Sequence, residues 1–141
     1  NKMVGSIGLI HDPKRQYDKV LMLGYALARE CWGRGLMTEA AQAVAVCGFE
    51  VLHLEGISAY CFPYNKRSGR ILEKCGFASE GTLKKAELRY DGVLLDNECW
   101  FLSRECWQSS EQTKKAGDVK ITVDKSGFAA EKKLDIPDFL E

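Results

Sequence analysis

No apolar run in this chain of 141 residues approaches the ~20 residues that a membrane-spanning helix needs, so no membrane association is expected. Charge of either sign is not in excess: 20 Lys and Arg face 20 Asp and Glu. A nucleic-acid partner, which needs a basic surplus, is therefore not expected. Histidine is scarce, with only His11 and His53, so catalysis through a Cys-His or Ser-His pair is disfavoured. Cysteine is plentiful, but no C-x-x-C pair and no His cluster accompanies Cys31, Cys47, Cys61, Cys75, Cys99 and Cys106. That scatter excludes a zinc-site spacing, and no metal is expected. Several of the cysteines sit among apolar residues, as in Val46-Cys47-Gly48-Phe49, where the thiol acts as a small hydrophobe. Reduced, structural thiols in a cytoplasmic protein are the expectation. No secretory leader is read in Asn1-Lys2-Met3, which runs straight into a strand-like stretch.

What is present is a globular composition, 45% hydrophobic and 28% charged, of a length that suits one domain. Residues 3–10 predict a strand, and His11-Asp12-Pro13-Lys14-Arg15 a polar turn. Residues 20–27 form a continuous apolar run of strand length, consistent with a strand covered on both faces. From Leu36 the period changes. Leu36, Met37, Ala40, Ala41, Val44, Cys47, Val51 and Leu52 recur at helical spacing and predict a helix over 36–52. A strand over 57–61 and a second helix over 66–75 follow, with Cys75-Gly76-Phe77 as its stop. Residues 80–88 and 94–102 predict two strands around the Asp91-Gly92 turn. The domain is expected over 1–107. Residues 108–141 read as a linker and tail, with an isolated strand-like alternation at 119–123 as one candidate to cover a sheet edge.

The segment Glu30-Cys31-Trp32-Gly33-Arg34-Gly35 joins a strand to the long helix. A helix start leaves backbone N–H groups without partners and carries partial positive charge. Glycines let the backbone come close to a ligand, Arg34 adds a cation, and Thr38 adds a hydroxyl one turn in. Such a mouth suits a diphosphate, although a plain loop with a helix cap accounts for the same residues.

The segment resembles the pyrophosphate loop of the GNAT superfamily of N-acetyltransferases, Gln/Arg-x-x-Gly-x-Gly/Ala, with Glu30 at its first position. Two blocks are similar to the branch that acetylates the N-terminal alanine or serine of ribosomal proteins. The first is Gly24-Tyr25-Ala26-Leu27 with Trp32-Gly33-Arg34-Gly35-Leu36-Met37-Thr38-Glu39-Ala40. The second is Asn65-Lys66-Arg67-Ser68, Leu72-Glu73-Lys74-Cys75-Gly76-Phe77 and Glu80-Gly81. The likeness spans roughly residues 4–107. It implies a mixed-sheet α/β fold of the acyl-CoA N-acyltransferase type, here without the first strand and first two helices. It also implies a β-bulge over residues 25–28 that parts the strand from its neighbour to admit the pantetheine arm. Acetyl-CoA is the implied co-substrate. Leu27 would meet the arm, Trp32, Gly33, Arg34, Gly35, Leu36, Met37 and Thr38 would hold the diphosphate, and Asn65 would lie near the pantetheine end. Asn65 reads equally as a helix cap; Leu27 reads equally as core.

By the same likeness Glu87 is the base and Ser68 the acid of acetyl transfer to a primary amine. An α-amine, with a pKa of about 8, is about one-tenth neutral at pH 7, whereas a lysine amine is neutral in under about one part in a thousand. A protein N-terminus thus needs only a weak base, and it is the implied acceptor. The residues alone leave Glu87 open to a solvent-facing role beside Lys85 or Arg89, and Ser68 to a helix-surface role. Tyr25 and Tyr64 are alternative proton donors. A homodimer is one assembly the reading leaves open. A different class, a catalytically inactive acyl-CoA-binding adaptor that recruits a partner through its tail, keeps the same loop. The tail's Leu134-Asp135-Ile136-Pro137-Asp138-Phe139-Leu140 resembles the C-terminal docking peptide of the bacterial tubulin-like division GTPase.

Overall fold

A computed structural model of the chain describes residues 2–15, 17–110, 122–124 and 129–136. Seven strands form one mixed sheet: β1 Lys2–His11, β2 Val20–Leu27, β3 Gly56–Cys61, β4 Ala78–Leu88, β5 Leu94–Ser103, β6 Thr122–Asp124 and β7 Ala129–Ile136. Their order is β4-β5-β3-β2-β1-β7-β6. Among the described residues β2 and β3 are the one neighbouring pair that runs parallel, and the crossover joining them passes through the helix at residues 36–46. The helices are α1 Leu36–Val46, α2 Lys66–Lys74 and a short α3 Arg104–Gln108.

The core lies between α1 and one face of the sheet. Ile7 and Leu9 of β1, Leu21 and Leu23 of β2, and Ile57 and Ala59 of β3 alternate onto that face. Met37, Ala40, Ala41 and Val44 of α1 are buried in the same cluster. The predicted helix over 36–52 divides. Regular α-helix ends at Val46, and Cys47–Val51 form a wider π-helical turn. Packing explains the change. A Cβ on Gly48 would lie 3.1–3.2 Å from Leu9, Leu54 and Ile57 side chains, so the chain packs tightly against the core there. Phe49 is then fully buried and stacks on Trp107 at 4.8 Å.

Part of the stretch 108–141, read as linker and tail, enters the sheet as β6 and β7. β7 pairs antiparallel with β1, from Lys2 opposite Ile136 to Gly8 opposite Glu131, and β6 pairs with β7. The edge of β1 is thus covered by β7 and not by the 119–123 segment, of which only 122 and 123 are described. A free β1 edge presents unpaired N–H and C=O groups, which a complementary strand satisfies. The docking-peptide likeness falls partly on β7 and partly, at 137–140, outside the described residues.

On the sheet face away from α1, a polar cluster anchors the β1–β2 connection. Asp12 is fully buried and accepts from Ser58 Oγ at 2.6 Å, Tyr60 Oη at 2.9 Å, the Lys14 amide at 2.9 Å and Arg15 Nη1 at 3.1 Å. Arg15 bridges on to Glu80 at 2.9 Å and covers the Phe101 ring.

Candidate functional site

β2 and β3 pair only from Val20 opposite Gly56 to Leu23 opposite Ala59; beyond that they part. The expected β-bulge over residues 25–28 is absent. β2 keeps an unbroken ladder with β1, Gly5 opposite Leu27 through His11 opposite Leu21. β3 goes on pairing with β5 through Tyr60 and Cys61 after its ladder with β2 has ended. The Ala28 amide donates to the Val4 carbonyl on the β1 side. By strand alternation the backbone groups of Tyr25 and Leu27 face the gap, where β3 no longer meets them.

The gap widens into a cleft of about 710 Å³ between the residues 31–38 segment and α2. That size lies within the usual range for small-molecule sites, about 300–1,000 Å³. Its lining includes Leu27, Trp32, Gly33, Gly35, Leu36, Met37, Thr38, Asn65 and Ser68, so eight of the nine cofactor-binding expectations and one of the two catalytic ones converge there. Arg34 flanks this stretch without lining the cleft, and it has a partner of its own.

Gly33 and Gly35 hold φ of 81° and 73°. No atom lies within 4 Å of the place a Cβ would take at either glycine. The first backbone bond of α1 runs from the Glu39 amide to the Gly35 carbonyl, and no side chain caps the helix. The amides of Leu36, Met37 and Thr38 therefore precede the helical ladder at the cleft wall. Free backbone amides in this arrangement are the kind that an anion can engage.

Ser68 is buried, and its Oγ shares a hydrogen bond with Tyr25 Oη. Burial pushes the Tyr25 phenol above its ordinary value despite the Ser68 bond, so the pair keeps its protons at neutral pH. Cys61 stands next to it, with a thiol raised first by burial and then by Glu98. Asn65 caps α2: its side-chain oxygen accepts from the Ser68 amide at 3.1 Å. The cap and cleft roles of Asn65 coexist, since the bond that starts the helix also fixes where Ser68 sits.

Trp32 spans the mouth. Its indole N–H donates to the Leu27 carbonyl at 3.0 Å, so the oxygen expected to meet a pantetheine arm already has a partner. Its ring lies 4.4 Å from the Arg67 guanidinium on the opposite wall. The Tyr25 backbone, one alternation back along β2, is the open edge.

Glu87 lies elsewhere. It is exposed near the end of β4, opposite Leu95, past a register shift that begins at Leu83. Lys85 has φ of 50° in that irregular stretch. Glu87 does not line the cleft. Tyr64 lines the cleft, is largely exposed and stacks on Phe62 at 5.4 Å. Four cations that the motif reading passed over, Lys66, Arg67, Arg70 and Lys74, line the α2 wall, and among the described residues no carboxylate lines the cleft. Their spacing along residues 66–74 was the available signal. Among the described residues no group of three or more His, Cys, Asp or Glu is placed to hold a metal ion.

The residues fit an anionic, extended ligand with a strand-like arm: an amide cradle, an unpaired strand edge and a cationic wall meet in one cleft. Residues 1–78 match the acetyltransferase (GNAT) domain family. The chain is 33% identical over 98 residues to the probable N-acetyltransferase YjcK of Bacillus subtilis, covering 70% of this chain and 53% of that protein. It is 36% identical over 85 residues to the ribosomal protein uS5-alanine N-acetyltransferase of Escherichia coli, covering 60% and 43%. The crystal structure of the ribosomal-protein-S5-alanine acetyltransferase of Vibrio fischeri superposes with a TM-score of 0.68 at 26% identity, over 75% of this chain and 57% of that one. The chain spans about half the length of the curated relatives it matches.

Proposed function

The chain belongs to the GNAT family of acetyltransferases, and on that premise we propose that it moves the acetyl group of acetyl-CoA to a primary amine, a protein N-terminal α-amine. The observation that carries the reading is the cleft between the parted β2 and β3, with the Gly33–Gly35 cradle on one wall and the Tyr25–Ser68 pair within it. The likeness to uS5-alanine acetyltransferase supports the acceptor class.

When bound, acetyl-CoA supplies an activated acetyl group as a thioester. The amides of Leu36, Met37 and Thr38, with Gly33 and Gly35, would hold its diphosphate. The Tyr25 backbone would pair with its amide arm. Ser68 Oγ, hydrogen-bonded to the Tyr25 phenol, would donate a proton to the thiol leaving group, whose ordinary pKa is about 8.5. Glu87 is the proposed base. It would have to receive the amine's proton from outside the cleft lining, through water or through the acceptor's approach along β4. An N-terminal amine, partly neutral at pH 7, makes only a weak demand on it.

The test is mass spectrometry of the products after incubation with acetyl-CoA and a panel of N-terminal peptides and small amines. Acetylated α-amine is the expected product. Ser68→Ala and Tyr25→Phe should each lower kcat/KM by about 10²-fold on the best acceptor. If both variants and Glu87→Gln retain the parent value, the role assignments are wrong.

One observation favours a second reading. Among the described residues no carboxylate lines the cleft, as a catalytically inactive acyl-CoA-binding adaptor would allow. Such a protein binds CoA and yields no acetylated product with any acceptor in the panel.

A further inference from the structure

Two primary amines, Lys66 and Lys74, line the cleft among the described residues. They sit at opposite ends of α2, separated by ~12 Å of helix rise. Lys74 also lines a recess of about 370 Å³ with Gly35, Thr38, Glu39 and Gln42, and it has a partner of its own. It belongs to the end where the amides of α1 precede the helical ladder. Lys66 belongs to the other end. It is the first residue of α2, directly after the Asn65 cap and two places before Ser68. The Cys61 thiol locates its charge. Burial and then Glu98 raise that thiol, while the Ser68 hydroxyl and the Lys66 ammonium both act against the rise. Hydroxyl and ammonium thus act on one sulfur atom. Lys66 is exposed and forms no salt bridge among the described residues, so its four-carbon stem can swing.

In the proposed reaction Ser68 Oγ stands at the thioester sulfur, which puts the acetyl carbon at the Lys66 end of the cleft. Among the described residues no carboxylate on the cleft wall draws the amine into an ion pair. A group held beside its reaction partner needs no encounter, and such positioning speeds a reaction by many orders of magnitude over the same group free in solution.

We propose that Lys66 is a self-acetylation site, whose Nζ takes the acetyl group from acetyl-CoA bound in the same chain when no acceptor is present. The inference rests on the proposed acetyl-CoA reading and adds to it a modification site on the protein itself. The neutral Nζ forms a bond to the acetyl carbon as the carbon–sulfur bond breaks. The sulfur takes a proton from Ser68 Oγ, which recovers one from the nitrogen. The products are Nε-acetyl-Lys66 and coenzyme A, and no other reactant is needed. An amide then stands where the cleft had a cation.

The experiment is a time course of the full chain with acetyl-CoA and no acceptor, read by peptide-mapping mass spectrometry. Lys66 should gain an acetyl group at least ~10-fold faster than the exposed Lys84 and Lys85, which lie outside the cleft. Its rate should saturate with acetyl-CoA, stay the same on dilution of the protein and fall when excess coenzyme A competes. Lys66→Arg should lose this mark while Lys84 and Lys85 react as before. Acetylation of Lys66 no faster than that of Lys84 and Lys85, or a rate that excess coenzyme A leaves unchanged, overturns the proposal. So does a rate that rises with protein concentration, because the transfer is then between chains. A parallel sample contains the N-terminal peptides. Acetylated peptide with Lys66 unmodified in both samples overturns the proposal and leaves the acetyl-CoA reading intact. No acetyl group on Lys66 or on any peptide or small amine overturns both.

Discussion

At Gly33 and Gly35 the backbone is left-handed, with φ of 81° and 73°, and the space above each α-carbon is empty. A methyl group at Gly33 meets no protein atom, so its cost to folding is conformational alone, about 1–2 kcal/mol. The same methyl enters the volume an anion must occupy to reach the amides. Gly33→Ala should therefore lower the affinity for coenzyme A by about tenfold or more, with only a modest drop in melting temperature. Titration and thermal melting of the one variant check both halves, and an unchanged affinity would place the diphosphate elsewhere. The glycines, Thr38 and Ser68 were legible because their motif spacing is local. Tyr25 was legible only as an alternative, because its bond to Ser68 crosses 43 positions of chain. Glu87 shows the limit of such spacing. A register shift in β4 decides which way a strand residue faces, and no motif records it.

At the scale of elements, the turn after β1 matters more than its sequence suggests. His11-Asp12-Pro13 announced a polar turn, yet Asp12 is fully buried against Ser58 and Tyr60, 46 and 48 positions away. Burial alone would raise its pKa. The hydrogen bonds from Ser58, the Lys14 amide, Tyr60 and Arg15 outweigh burial and hold it below the ordinary value. Tyr60 moves the other way, pushed up to about 12 by burial and by its bond to Asp12. The signs are opposite. A carboxylate with a depressed folded pKa contributes stability above its unfolded value, about 4, and that stability is lost as pH falls through the folded value. A phenol with a raised pKa contributes below about 10 and loses its contribution as pH rises through the folded value. Asp12→Ala removes the shared acceptor of four donors, of which Ser58 is buried, and should cost about 3 kcal/mol near neutral pH. Urea unfolding at pH 7 and at pH 3 should show that difference narrowing in acid. A constant difference between the two would mean that Asp12 is not ionised in the folded protein.

At the scale of the whole molecule, strand periods and the crossover helix announced a mixed sheet with β2 and β3 parallel, and the structure has one. The edge was not legible, because strand pairing beyond a polar linker carries no local signature. β7 covers β1 over most of its length, and β6 extends the sheet beyond it. A chain ended at Ser110 keeps every residue lining the cleft but leaves β1 as an unpaired edge ten residues long. Exposed edges of that length seek other strands. The shortened protein should elute as larger, concentration-dependent species on size exclusion and melt at a lower temperature. At dilutions where it is a monomer it should still bind coenzyme A. A monodisperse product with the parent melting temperature would show that β7 contributes nothing to the sheet. Loss of coenzyme A binding in a folded monomer would show that the cleft depends on the far edge, contrary to the separation seen here, in which β2 and β3 part on one side of the sheet and β7 closes the other.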